Sequence, residues 1–314
     1  MRHVNTHLPY STHTTHPLIS ASTHTHPLTP ISLTRFPRPQ LCASVQATDC
    51  AAGPVELATA WSARSDYRLF NKLKKLPRKA HGELVAGKGD LNITVEKMKC
   101  LLDTNWLNSE VITCWLEWWC KEIGAGREQR MPTSSSPQPS CYFASTYFFQ
   151  KLNGGPDGYC FENVVKWTKS IDVFALDKII IPVNDANVHW FLAVINFREK
   201  RTERFDSLGQ DDPALHAALL RWLDDEHRSK HGSGYDTTGW SQLRDARVPL
   251  QDNGSDCGVF TCLFAAYASL DRPFNFTQEH IAIIRRWMVH IIYEIGREET
   301  MSAAAAARQR RRRS

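Results

Sequence analysis

From Leu91 to about Gly296 the chain carries regular runs of apolar and polar positions whose period switches between that of a helix and that of a strand. Thr94 predicts a cap for a short helix through Leu102. Asn108 or Ser109 predicts one for a longer helix carrying Val111, Ile112, Trp115, Trp118, Trp119 and Ile123 on one stripe. Pro132 to Ser140 reads as a loop, and Tyr142 to Leu152 as an aromatic helix stopped by Asn153-Gly154-Gly155-Pro156. The period then shortens: Lys178 to Val183, Val188 to Phe197 and Thr202 to Asp206 are β-rich runs that predict an antiparallel meander. Pro213 opens a helix to about Lys230, and Arg247 to Leu250 reads as a short strand. Cys257 to Leu270 is an apolar helix, and Thr277 caps a last helix to about Ile295. This order predicts an α+β domain over residues 91–296, with helices packed on a sheet.

Composition adds the flanks. The chain has 314 residues, 42% of them hydrophobic and 23% charged, with ten tryptophans, a balance that suits a globular protein. The apolar run Cys257 to Leu270 is shorter than the roughly 18 residues a bilayer span requires, so no membrane helix is expected. Residues 1–60 read as a disordered leader rich in Thr, Pro and His, free of Asp and Glu through residue 48, a composition shared with organelle transit peptides. Its histidines His13, His16, His24 and His26 lack carboxylate or cysteine partners, so no metal site is expected there. Residues 61–90 read as a basic linker through Lys72, Lys74, Lys75, Arg78 and Lys79. Gly82 to Gly89 nearly spells a phosphate loop but lacks the Ser or Thr that would hold magnesium.

Residues 297–314 form an Ala/Arg-rich tail. The five arginines at its end, Arg308 and Arg310 to Arg313, equal the net charge of +5, leaving the body near neutral. A nucleic-acid-binding body is thereby disfavoured, although the tail can touch polyanions. Nine cysteines, an odd number without a CxxC pair, indicate a reducing compartment.

Four residues suggest chemistry. Cys257 opens an apolar helix, where the positive end of the helix dipole favours a thiolate; it also reads as a small buried apolar residue, like Cys262. His189 heads one predicted strand and Asp206 ends the next, so a hairpin returns both to one edge, where a carboxylate-oriented imidazole is the base a thiol needs. Gln251, in the loop before Cys257, can offer its amide to an oxyanion.

At Pro249-Leu-Gln251-Asp-Asn253-Gly-Ser-Asp256-Cys257-Gly258-Val-Phe260 the chain resembles the nucleophile segment of the sentrin- or SUMO-specific cysteine peptidases, which process ubiquitin-like proteins. Ile181 to Ile195 resembles that family's histidine strand and Phe205-Asp206-Ser207 its aspartate segment. Leu91 to Asn108, Lys166 to Lys169 and Asn275 to Gln278 resemble further stretches. The resemblance implies a papain-like fold with permuted His-Asp-Cys order and helices around a central, mostly antiparallel sheet. It implies a triad of Cys257, His189 and Asp206, and an oxyanion donor in Gln251. Trp106 and Trp190 would close a tunnel that admits a Gly-Gly terminus, since only glycine lacks the Cβ that an indole lid would strike.

Ser109 and Lys166 stand where the family often has Asp and Arg, positions that face the modifier, so modifier preference is the property they put in question. The implied function is cleavage after the Gly-Gly terminus of a SUMO-like modifier, maturing precursors and releasing lysine-linked conjugates, without metal or organic cofactor. Alternatives are another ubiquitin-like modifier, acetyl transfer, or a catalytically silent module that binds SUMO. A monomer in the nucleus, or alternatively the cytoplasm, is expected, and the sequons at Asn92, Asn253 and Asn275 read as coincidental.

Overall fold

The computed structural model describes residues 53–65, 67–88, 91–128, 139–156, 158–244 and 248–313. The leader through residue 52, its histidine tract and residues 132–138 of the expected loop lie outside the described residues.

Five strands form the central sheet: β3 (Cys141–Phe143), β4 (Lys178–Asp185), β5 (His189–Asn196), β6 (Arg201–Phe205) and β7 (Ser241–Arg244), in that spatial order, with β1 (Leu84–Lys88) and β2 (Leu91–Thr94) in a separate hairpin. The inner pairings β4/β5 and β5/β6 are antiparallel, whereas both edge strands pair parallel to their neighbours. Residues 248–250 of the short strand expected at 247–250 form no strand; the edge strand is instead β7, which was not expected and pairs with β6 in register from Arg201↔Ser241 to Arg204↔Arg244. The aromatic run expected as one helix divides into β3 and α5 (Phe148–Leu152).

Helices cover both faces of this sheet, which is why β5 is apolar at nearly every position. Trp190, Leu192 and Val194 point into the core shared with α4 (Ser109–Glu128), α7 (Cys257–Ser269) and α8 (Ile281–Arg313). Phe191, Ala193 and Ile195 point into a second core, shared with α5 and α6 (Pro213–His231). All thirteen residues of α7 are buried, so the helix that begins at Cys257 has no solvent face and shows no polar stripe in its sequence.

Where the sequence reading placed a leader and linker, α1 (Pro54–Ser62) and α2 (Arg68–Lys75) pack on α8. The many cations of α2 mask Leu69, Leu73 and Leu76 at i, i+4, i+7, and Phe70 and Leu73 are buried. Helix α8 also runs past the expected end at Ile295: the alanines at 303–307 favour helix and the following arginines suit a helix C-terminus. It crosses β1 at Gly296, where a Cβ would lie 1.7 Å from the Val85 carbonyl oxygen, so only glycine permits that approach. No helix among the described residues is long and apolar enough to cross a membrane.

Candidate active site

The hairpin register sets Leu192 opposite Phe205, so the start of β5 and the residue after β6 share one sheet edge. There His189 Nε2 lies 2.8 Å from Asp206 Oδ1. The remaining ring nitrogen, Nδ1, is left for Cys257, which opens the first turn of α7 and interacts electrostatically with His189. All three side chains are buried.

Burial pulls the His189 pKa down, but the hydrogen bonds and charges of Asp206 and Cys257 outweigh it and raise the imidazole to about 9. Burial opposes ionisation of Asp206 too; donors from His189, the Leu208 backbone and Arg204 overcome it and hold the carboxyl below its usual range. Because the folded His189 value exceeds the ordinary value of about 6.5, its contribution to stability is complete below that pH and is lost as pH rises through about 9. The same loss removes the imidazolium, so any reaction that uses it as an acid is expected to decline above about pH 9, with melting temperature falling in the same window; a pH series of both checks it.

Gln251 is held from both ends of its loop. Ser207 Oγ donates to its Oε1 at 2.6 Å, its backbone N–H donates to the Ser207 carbonyl at 3.0 Å, and its side-chain amide contacts the Asn253 carbonyl. Asn253 Oδ1 accepts from Ser255 N–H at 2.9 Å and Asp256 N–H at 3.1 Å, closing the turn that delivers Cys257 to the helix start. Its Nδ2 donates to Asp256 Oδ2 at 2.8 Å, a bond that a glycan on that nitrogen would perturb.

Trp190 is buried and donates its Nε1–H to the Leu107 carbonyl at 3.1 Å, whereas neighbouring Trp106 is 50% exposed. Gly258 explains how this loop reaches the nucleophile: a Cβ there would stand 2.8 Å from Leu107 Cβ. Asn108 supplies the cap of α4, accepting from Val111 N–H at 2.9 Å, which leaves Ser109 half-buried as the first helical residue. Lys166 is exposed in a turn-rich stretch. Among the described residues, no side-chain hydrogen bond ties Ser109 or Lys166 to the triad.

Two positions escaped the sequence reading. Arg204 donates to Asp206 Oδ2 at 2.6 Å; its only sequence signal is that it stands two residues before Asp206 and so shares a strand face with it. Arg285 pairs with Asp256, 29 residues away, at 2.6 Å and also donates to backbone carbonyls, a contact no local pattern foretells. Among the described residues no three His, Cys, Asp or Glu side chains group as a metal site, and a small apolar cavity lined by Leu69, Leu73, Val85 and Tyr293 sits beside α2.

The profile described as "Ulp1 protease family, C-terminal catalytic domain" matches residues 105–300. Sentrin-specific protease 2 of Homo sapiens is 34% identical over 209 residues, which cover 66% of this chain and 33% of that protein. Ubiquitin-like-specific protease ESD4 of Arabidopsis thaliana is 36% identical over 200 residues, covering 62% and 39%. The chain thus spans about a third of the length of these curated relatives. The C-terminal Ulp1 protease domain, solved in complex with Smt3, the yeast ortholog of SUMO, matches with a TM-score of 0.57 and 24% identity over 74% of this chain and 96% of that one, a likeness of fold.

Proposed function

The chain belongs to the Ulp1 protease family, and from that membership we propose that it is a thiol protease that cuts after the terminal Gly-Gly of a SUMO-like modifier, in precursors and in isopeptide links to lysine. The observation that carries the reading is the buried His189–Asp206 hydrogen bond, whose imidazole also interacts with Cys257 at the start of α7. Cys257 sulfur attacks the glycine carbonyl carbon, and Gln251 offers its amide to the oxyanion, exchanging its contact with Asn253. His189 protonates the leaving amine and then takes a proton from the water that hydrolyses the thioester, while Asp206 orients the ring. Trp106 and Trp190 flank the entry, and glycine is the residue a tunnel between indoles admits.

The names of the relatives, sentrin-specific and ubiquitin-like-specific, support the modifier class. Monomeric action in the nucleus belongs to the same reading, with the cations of α2 and the terminal arginines as its support. The test is a SUMO with a fluorogenic amide at its Gly-Gly terminus, with ubiquitin as control. Hydrolysis of SUMO alone, lost in Cys257→Ser, is the expected result. A wild type that binds SUMO without cutting it replaces the protease with a binding module.

A further inference from the structure

We propose that Arg204 is a positioning residue that clamps Asp206 against His189 and sets the pH at which the Cys257–His189 pair becomes reactive. The inference rests on the thiol-protease reading and deepens it. Arg204 lies within β6 with its side chain 5% exposed, and a buried guanidinium is costly unless fully paired. Here the pairing is incomplete: Nη2 donates to Asp206 Oδ2 at 2.6 Å, but the buried Nε has no hydrogen-bond partner among the described residues. The cation instead lies over the Phe191 ring, 3.8 Å from its centroid, and that ring stands beside the His189 imidazole with centroids 6.3 Å apart. A residue that leaves a buried donor unmet is poorly explained by stability alone.

What the placement does accomplish is to fix both oxygens of one carboxylate. Asp206 Oδ1 meets His189 Nε2 at 2.8 Å and accepts the Leu208 N–H at 2.8 Å, while Oδ2 is taken by Arg204, so the carboxylate plane cannot turn away from the imidazole. The charged or titratable groups around this point are His189 from β5, Arg204 from β6 and Cys257 from α7, the last two bracketing the Asp206–His189 pair. Removing the Arg204 cation makes Asp206 easier to protonate, and a protonated Asp206 no longer holds the His189 imidazole for the thiol. That pushes the acid limb of reactivity to higher pH.

Arg204→Met, which keeps much of the stem's bulk, tests this. The rate of Cys257 alkylation by iodoacetamide is followed against pH by peptide mass spectrometry, alongside steady-state hydrolysis. The acid limb is expected to rise by about one pH unit, with kcat down about tenfold and KM unchanged. Arg204→Lys restores a charge without the planar fork, so its limb should stay near that of the wild type while kcat still falls, about threefold. A methionine variant whose limb superposes on the wild type while its melting temperature drops overturns the proposal in favour of a packing role. Should that variant not fold, the lysine variant decides: wild-type kcat overturns the clamp. Alkylation needs no modifier, so an inert wild type whose limb still moves in Arg204→Met would defeat the proposed activity and leave the role of Arg204 standing.

Discussion

Replacing His189 with alanine is expected to lower kcat/KM on the SUMO amide by about four orders of magnitude, the scale of losing a catalytic base from a triad. The loss falls on kcat, because His189 acts on protons rather than on the body of the modifier. It removes both the partner that withdraws the Cys257 proton and the acid that protonates the leaving amine. The fold should survive. Asp206 would lose one of three donors but keep Arg204 at 2.6 Å and the Leu208 N–H at 2.8 Å, so no buried carboxylate is orphaned; the cost should be about 1–3 kcal/mol. Single-turnover kinetics with a thermal melt measure the two parts separately. Activity within tenfold of wild type would remove His189 from the role assigned to it.

Much of this site was legible because its parts are local. The β-rich apolar run of β5, the hairpin that brings His189 back beside Asp206, and the loop-to-helix transition at Cys257 are each written within a few residues. The partners that hold those parts in place are not. Arg204 looks in sequence like a polar residue on an exposed strand face, yet in the fold it is buried with its guanidinium over the Phe191 ring. The parallel edges β3 and β7 depend on pairing across long connections, which no local pattern encodes. Helix α2 was hidden by composition: a cationic stretch reads as a linker until α8 is present to receive Phe70 and Leu73. The alanine stretch after Gly296 has strong helix propensity but no apolar stripe, so its continuity with α8 shows in the backbone rather than in the pattern.

Arg285→Met should be the most destabilising single change near the site, and it should loosen two of its walls together. The Arg285 guanidinium reaches Asp256 Oδ1 from Nη2 at 2.6 Å and from Nε at 3.0 Å, and it donates to the carbonyls of Cys100, Asn105 and Ser255 at 3.0–3.2 Å. One side chain therefore ties α8 to the turn before Cys257 and to the loop that carries Trp106. Methionine fills part of the volume but leaves a buried carboxylate and three carbonyls without that partner, at a cost of about 3–5 kcal/mol. Asp256 would retain Asn253 Nδ2 at 2.8 Å and Gln278 Nε2 at 2.6 Å, which keeps the loss toward the lower end. Adding Asp256→Asn to Arg285→Met should return part of the stability, because the buried charge that lost its arginine is removed. It should not return kcat, because Cys100, Asn105 and Ser255 would still lack their donor. Urea unfolding of both single variants and the double variant closes the cycle. A single-variant loss under about 1 kcal/mol would place the pair among contacts of negligible net worth and assign the nucleophile turn to Asn253 and Gln278.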